Sequence, residues 1–111
     1  MTEPAVTDLQ TVSEDLLTQA RADERGRAAH IVLGGDLQRS TVIALVAGQG
    51  LDEHAAPPAA SLQCLVGRVR LRAGADEWAL TAGQVVAIPA ERHALDAEED
   101  SVVLLTVTLR D

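Results

Sequence analysis

From Arg27 onward the sequence consists of short apolar runs separated by glycine and proline, and this punctuation limits the chain to a small set of folds. The runs are 27–33, 37–47, 61–66, 68–73, 77–80, 84–88 and 101–109. The turn residues are Gly34-Gly35, Gly48, Gly50, Pro57-Pro58, Gly67, Gly74, Gly83 and Pro89. Many short strands at regular spacing, joined by such turns, predict an all-β sandwich or barrel.

Residues 7–23 have a helical period and predict one α-helix ahead of the strands. The apolar positions that share one face of this helix are Leu9, Val12, Leu16, Leu17 and Ala20. Thr7 followed by Gln10 matches a capping box, and Asp8 suits the positive end of the helix. We therefore divide the chain into an N-terminal arm with an amphipathic helix, residues 1–25, and a barrel, residues 26–111.

The strand patterns indicate which faces of the barrel are covered. In 41–47 both faces are apolar, so both should be buried. In 68–72 the apolar residues alternate with Arg68, Arg70 and Arg72, which predicts an arginine row on one face. We expect this face to be solvated and to pair with the surplus acid; an anion-binding row is the alternative. We expect the helix to cover one outer apolar patch and a second subunit to cover another, which favours a homodimer.

Composition excludes several classes of function. The chain has 111 residues and a net charge of −8, so a phosphate backbone would be repelled and nucleic acid is not an expected partner. All nine basic residues are arginine, which excludes lysine chemistry. Cys64 is the only cysteine, and no apolar run is long enough to span a membrane. Together with a polar, acidic start, these features predict a cytoplasmic location.

The spacing of the glycines and histidines resembles that of a small single-domain cupin over residues 27–109. Gly48, His54 and Gly67 keep the frame of the first cupin motif. Gly83, Pro89 and His93, within "AGQVVAIPAERH", approximate the second. The resemblance implies a double-sheet jelly-roll barrel with a short N-terminal helix.

The same resemblance implies a metal motif that has lost half of its donors. Metal-binding cupins supply two histidines and a glutamate from the first motif and one histidine from the second. By position, His54 is kept, while the second histidine is replaced by Ala56 and the glutamate by Ala60. His93 comes one residue early, after Glu91 in place of the usual glycine. In a strand, a one-residue slip turns a side chain to the other face.

Three functions remain open at this point. The first is a metal-free or metal-poor protein that binds a small, mostly apolar molecule. Its cavity would be lined by Ala56, Ala60, Leu62 and Cys64, with His54 and His93 as its polar points. We predict no cofactor in this case, because two imidazoles alone make a weak site.

The second possible function is that of a metal enzyme that uses non-haem iron, zinc or manganese. The two histidines would then be joined by substituted ligands drawn from Asp52, Glu53, Gln63 and Glu91. The third is a dimeric interaction module without pocket chemistry.

Overall fold

The computed structural model describes residues 4–109 and begins with a helix. Helix α1 spans Leu9–Ala22. The Asp8 carboxylate caps it, accepting hydrogen bonds from the Gln10 amide at 3.1 Å and the Thr11 hydroxyl at 2.8 Å. The helix is confirmed, but the predicted capping box is wrong, because Asp8 rather than Thr7 is the N-cap. A carboxylate is a strong acceptor for the free amides of a first turn, and Asp8 occupies that position.

Nine strands follow within the described residues and form two antiparallel sheets. They are β1 (Arg27–Leu33), β2 (Gln38–Leu45), β3 (Gly50–His54), β4 (Ala60–Val66), β5 (Arg68–Ala73), β6 (Asp76–Thr81), β7 (Val85–Ala87), β8 (His93–Ala97) and β9 (Ser101–Thr108). One sheet has the order β1-β2-β9-β4-β7 and the other has the order β3-β8-β5-β6. The predicted all-β double-sheet architecture with a short N-terminal helix is therefore confirmed. The sequence pattern predicts seven of these strands and misses β3 and β8.

The barrel interior is a packed apolar core between the two sheets. Its buried members are Ile43, Leu45, Leu62, Cys64, Val69, Leu71, Leu80, Leu95, Ala97 and Val103. Trp78 is half-buried and packs against this core. With Phe and Tyr absent from the sequence, aliphatic side chains build almost the whole interior.

A second core lies between α1 and the outer face of the five-stranded sheet. Its buried members are Leu16, Leu17, Ala20, Val42, Ala44 and Val102. Strand β2 therefore contributes Ile43 and Leu45 to the barrel and Val42 to the helix contact, as its doubly apolar pattern predicts. The helix covers an outer face of the barrel, which confirms that part of the sequence prediction.

The outer face of the four-stranded sheet carries paired charges. Arg70 contacts Glu77 at 2.7 Å and also Glu98, and Arg72 contacts Asp96. The hydrogen bonds that Arg70 donates to the carboxylates of Glu77 and Glu98 raise the pKa of its guanidinium group. The arginine row is thus a solvated face matched by surplus acid, as predicted. Among residues 4–109 no helix is long and apolar enough to cross a membrane.

Candidate functional site

One end of the barrel brings the two motif histidines together. Strand β3 ends at His54, and β8 begins at His93. Strand β4 begins at Ala60 directly after the loop 55–59, so its start lies at the same end. Strand β9 runs antiparallel to β4 and places Val107 opposite Ala60. We call the group formed by His54, His93, Ala60, Leu105 and Val107 the histidine mouth.

A β-bulge sets the two histidines opposite each other. Leu51 pairs with Leu95, and a regular antiparallel ladder would then place Glu53 opposite His93. The register shifts between Leu51 and His54, so His54 takes that place. The ring centroids are 4.4 Å apart, with the planes at 65°, in an edge-to-face contact. His93 is only 4% exposed, whereas His54 is exposed.

Both imidazoles are oriented by the backbone in the same way. His54 Nδ1 lies 2.8 Å from the carbonyl oxygen of Asp52, and His93 Nδ1 lies 3.0 Å from that of Glu91. Because a carbonyl oxygen only accepts, each Nδ1 is the donor, and in the neutral ring Nε2 keeps its lone pair. Within residues 4–109 no buried side-chain nitrogen or oxygen lacks a partner. The Nε2 of His93 has no protein hydrogen bond there, so this atom is not completely buried.

An ion pair between residues adjacent in sequence to the two histidines borders them. Arg92 Nε lies 3.0 Å from Glu53 Oε1, and Arg92 Nη2 donates to the Glu53 carbonyl oxygen at 3.2 Å. Glu53 is one of the substituted ligands that the sequence offers for a metal, and here its carboxylate is paired with the arginine.

The residues present do not fit the metal centre that the fold family implies. Ala56 lies in the loop 55–59 and Ala60 starts β4, and neither side chain has a donor atom. In the part of the chain that the structure describes, no group of three or more His, Cys, Asp or Glu side chains is arranged to hold a metal ion. Gln63 cannot complete the set, because Leu62 and Cys64 face the barrel interior and Gln63, between them, faces the opposite side.

The remaining predicted cavity residues divide between the mouth and the packed interior. Ala56 and Ala60 are half-buried, and Ala60 lies in the mouth. Leu62 is buried in the interior core, one step further along the inner face of β4. Cys64 lies four residues beyond Ala60, roughly 13 Å along the strand. Its thiol donates to the carbonyls of Val66 and Gly67, and burial raises its pKa. Cys64 therefore belongs to the far end of the barrel.

Sequence reasoning missed an apolar wall on β9 that leads to the same end of the barrel as the histidines. Leu105 packs against the barrel core, and Val107, two residues later, is half-buried on the same face. Leu109 continues this face and hydrogen-bonds through its amide to the Leu37 carbonyl at 2.9 Å. The alternation of apolar residues along 103–109 was the available signal. It did not reveal that this face leads to the end of the barrel at which β8 begins.

Two clefts on the described part of the chain lie away from the histidines. An apolar cleft of about 520 Å³ lies between α1 and β4, where Leu9, Leu17 and Leu65 contribute to its lining. A polar cleft of about 490 Å³ lies beside β3 and includes Arg25 and Arg72. Neither is lined by His54 or His93. The candidate site therefore rests on the paired imidazoles and not on cleft volume.

Several solved structures are similar in fold to this chain. The TT1209 protein from Thermus thermophilus has a TM-score of 0.77 and 23% identity, covering 96% of this chain and 98% of that one. A conserved protein of unknown function from Streptococcus pyogenes has a TM-score of 0.74 and 21% identity, with coverages of 100% and 91%. A cupin superfamily protein from Desulfitobacterium hafniense has a TM-score of 0.70 and 17% identity, with coverages of 77% and 78%. The chain is a small cupin-fold domain.

The cupin fold accounts for the spacing of the two motifs and for the jelly-roll order of the strands. In this cupin barrel, the first motif leads from β3 into β4, and the second leads from β7 into β8. No protein-family model matches the sequence, and no curated protein is significantly similar to it. Because every solved structure compared above is less than 25% identical, the similarity establishes the fold and leaves the activity to the site itself.

Proposed function

We propose that this cupin-fold chain binds a small, mostly apolar molecule at the histidine mouth and needs no metal to do so. The observation that carries the proposal is the His54–His93 pair, opposed across β3 and β8 with both Nδ1 atoms bound to the backbone. Each neutral ring then offers Nε2 as an acceptor. The apolar wall of Leu105 and Val107 suits the remainder of an aliphatic ligand.

The chemistry of the mouth favours a ligand with one donor group. A hydroxyl or a protonated carboxyl group hydrogen-bonds an imidazole Nε2, and its alkyl part lies against valine and leucine. Alanine at 56 and 60 leaves room where the metal ligands of other cupins would stand, and contributes no donor atom. The interior behind the mouth is a packed core, so the ligand is bound at the end of the barrel.

Aliphatic probes test this proposal. We expect 1-hexanol to shift the imidazole Nε2 signals of His54 and His93 in long-range ¹H–¹⁵N NMR spectra. His93→Ala should weaken hexanol binding roughly tenfold, because the variant loses one hydrogen bond to the alcohol and part of the packing of the imidazole against it. His30→Ala is the matched control, because His30 is exposed on β1 and should leave binding unchanged.

Metal analysis of the same sample tests the second half of the proposal. Purified protein should hold well below one zinc, iron or manganese ion per chain, and dialysis against EDTA should leave hexanol binding unchanged. A stoichiometric ion that disappears in both His54→Ala and His93→Ala would overturn the metal-free proposal. No imidazole shift with any of a series of small alcohols and carboxylic acids would overturn the binding site.

We further propose that the chain works as a homodimer in the cytoplasm. The exposed apolar side chains of β1 and of the loop that follows it support a second copy as partner. A single buried cysteine, which leaves no intrachain disulfide, supports a reducing compartment.

A further inference from the structure

Arg39 brings a positive charge to the inner face of the five-stranded sheet, at the same end of the barrel as the histidines. Along β2, Ile43 and Leu45 face the barrel interior, so Arg39, four residues before Ile43, lies on the same face of the strand. Its partner across the ladder is Val107 of β9, and Val107 is also the partner of Ala60 on β4. Arg39 therefore directly adjoins the apolar wall of the histidine mouth.

The guanidinium of Arg39 has no carboxylate partner in the described part of the chain. Within residues 4–109 it forms no ion pair, not even with Asp36, the acid nearest to it in sequence. By contrast, the three arginines of the four-stranded sheet and Arg92 before β8 all contact carboxylates. The side chain of Arg39 is exposed, so it can bind a carboxylate group of a ligand in the forked geometry that suits guanidinium.

The acids that flank the two histidines lie on the other sheet from Arg39. Glu53 is held in the ion pair described above. Asp52 lines the polar cleft beside β3, to which neither histidine contributes. Glu91 Oε1 lies 3.1 Å from the position that a Cβ would take at Gly74, in the turn between β5 and β6. All three acids belong to the four-stranded sheet or to the loop that enters it, so an anionic group is best accommodated on the Arg39 side of the mouth.

The imidazoles border the mouth from the facing sheet. His93 lies two residues before Leu95, an inward-facing core residue of β8, and His54 stands opposite His93 on β3. The inner faces of two packed sheets lie roughly 10 Å apart. A ligand that contacts both Arg39 and the imidazoles must therefore carry an anionic group and a hydrogen-bond donor, joined by a short chain.

We propose that the ligand of the histidine mouth is a short aliphatic hydroxy acid that bridges the two sheets. This inference rests on the proposed function and names its ligand class. The carboxylate accepts hydrogen bonds from the guanidinium of Arg39, and the hydroxyl donates to an imidazole Nε2 of His54 or His93. An ionised carboxylate only accepts, so it cannot bond a neutral Nε2, and the two polar ends cannot exchange places. The alkyl chain between them lies against Val107.

NMR titrations with 6-hydroxyhexanoate, hexanoate and 1-hexanol test this assignment. Arg39→Met removes the charge and keeps an unbranched side chain. It should weaken the binding of both carboxylates roughly tenfold, because a charge-assisted hydrogen bond at an exposed site is lost. Binding of 1-hexanol should not change, because the alcohol carries no charge. Arg39→Lys, which keeps the charge, should retain most of the affinity for the two carboxylates.

Arg27→Met is the matched control. Arg27 is the ladder partner of the core residue Leu45, so it shares the inner face of the same sheet at the opposite end of the barrel. It is also exposed and forms no ion pair within residues 4–109. This variant should leave the binding of all three compounds unchanged. Circular dichroism and melting temperature establish that each variant is folded.

The histidine end of the ligand gives a second readout. His93→Ala should weaken the binding of 6-hydroxyhexanoate roughly tenfold and that of hexanoate much less, because only the first compound has a hydroxyl for the imidazole. If 1-hexanol binds but the carboxylates bind equally well to Arg39→Met and to wild type, the hydroxy-acid assignment is overturned and the proposed function stands. Equal losses in Arg39→Met and Arg27→Met have the same meaning. If none of the three compounds binds, both the assignment and the proposed function are overturned.

Discussion

At the scale of single residues, two glycines of the first cupin motif serve different physical purposes. Gly67 has a φ of +83° and its Cα lies against the turn that precedes β9. A Cβ there would overlap the Asp100 carbonyl oxygen and the Ser101 hydroxyl. That hydroxyl is buried, accepts from the Arg68 amide at 3.0 Å and donates to the Glu99 carbonyl at 2.7 Å. Gly67 therefore permits both a left-handed turn and a close approach.

Gly67→Ala should lower the free energy of unfolding by about 2 kcal/mol or more, because backbone strain and overlap with Ser101 act together. Gly48→Ala is the matched control. Gly48 also has a positive φ, +87°, but a Cβ there meets no atom within 4 Å. Its cost should be limited to about 1 kcal/mol of conformational strain. Urea unfolding of both variants measures the difference, and equal losses would contradict a steric role for the contact at Gly67.

The residues of the candidate site were only partly predictable. The sequence names His54 and His93, and it shows that positions 56 and 60 have no donor atoms. It does not show that His54 stands opposite His93, because that register depends on a bulge produced by the pairing of β3 with β8. It also places Cys64 on the correct face of β4 but gives no measure of its depth along the barrel.

At the scale of elements, Asp100 connects the helix to the barrel. Its carboxylate accepts from the Ala47 amide at 2.9 Å and from Arg21 Nε of α1 at 2.9 Å. The bond from Ala47 and then that from Arg21 lower the pKa of Asp100 below its ordinary value of 3.8. A carboxyl group whose pKa is depressed on folding stabilises the native state above its unfolded pKa. That contribution is lost as the pH falls through the folded pKa.

Asp100→Asn should therefore lower the melting temperature at pH 7 by a few degrees. The difference from wild type should shrink as the pH is taken below 3.8 and the wild-type carboxyl becomes protonated. Glu99→Gln is a suitable control, since Glu99 is exposed and its side chain forms no ion pair in the described part of the chain. A constant difference between wild type and Asp100→Asn from pH 7 to pH 3 would contradict this assignment.

The two strands missed by the sequence pattern, β3 and β8, are ones that local sequence patterns do not predict. The residues of β3 and β8, "GLDEH" and "HALDA", are rich in residues with weak strand preference. They are strands because β8 pairs with both β5 and β3. The pairing of strands in the folded chain therefore determines β3 and β8. By contrast, the alternation of apolar residues and arginines is enough to predict β5, and the apolar residues on both faces are enough to predict β2.

At the scale of the whole molecule, the two cores share the five-stranded sheet. Strands β2 and β9 present one face to the barrel interior and the other to α1. The boundary expected between residues 25 and 26 falls in the turn between α1 and β1. Because the same strands are buried on both faces, loss of the helix contact exposes Val42, Ala44 and Val102. We therefore expect the helix and the barrel to unfold together.

The sole tryptophan makes this cooperativity measurable. Trp78 lies on β6, in the sheet that does not contact α1, so its fluorescence reports on the barrel, while circular dichroism at 222 nm reports mainly on the helix. Leu16 lies on the buried face of α1, in the core between the helix and the sheet. Leu16→Ala should lower the free energy of unfolding by about 3 kcal/mol, because it removes packed apolar volume. Both signals should shift to lower urea by the same amount, because one transition governs both cores. Gln19→Ala, at an exposed position of the same helix, should shift neither. If Leu16→Ala moved only the helical signal and left the Trp78 transition in place, the helix would be a separate folding unit and the division at residue 25 would be a true domain boundary.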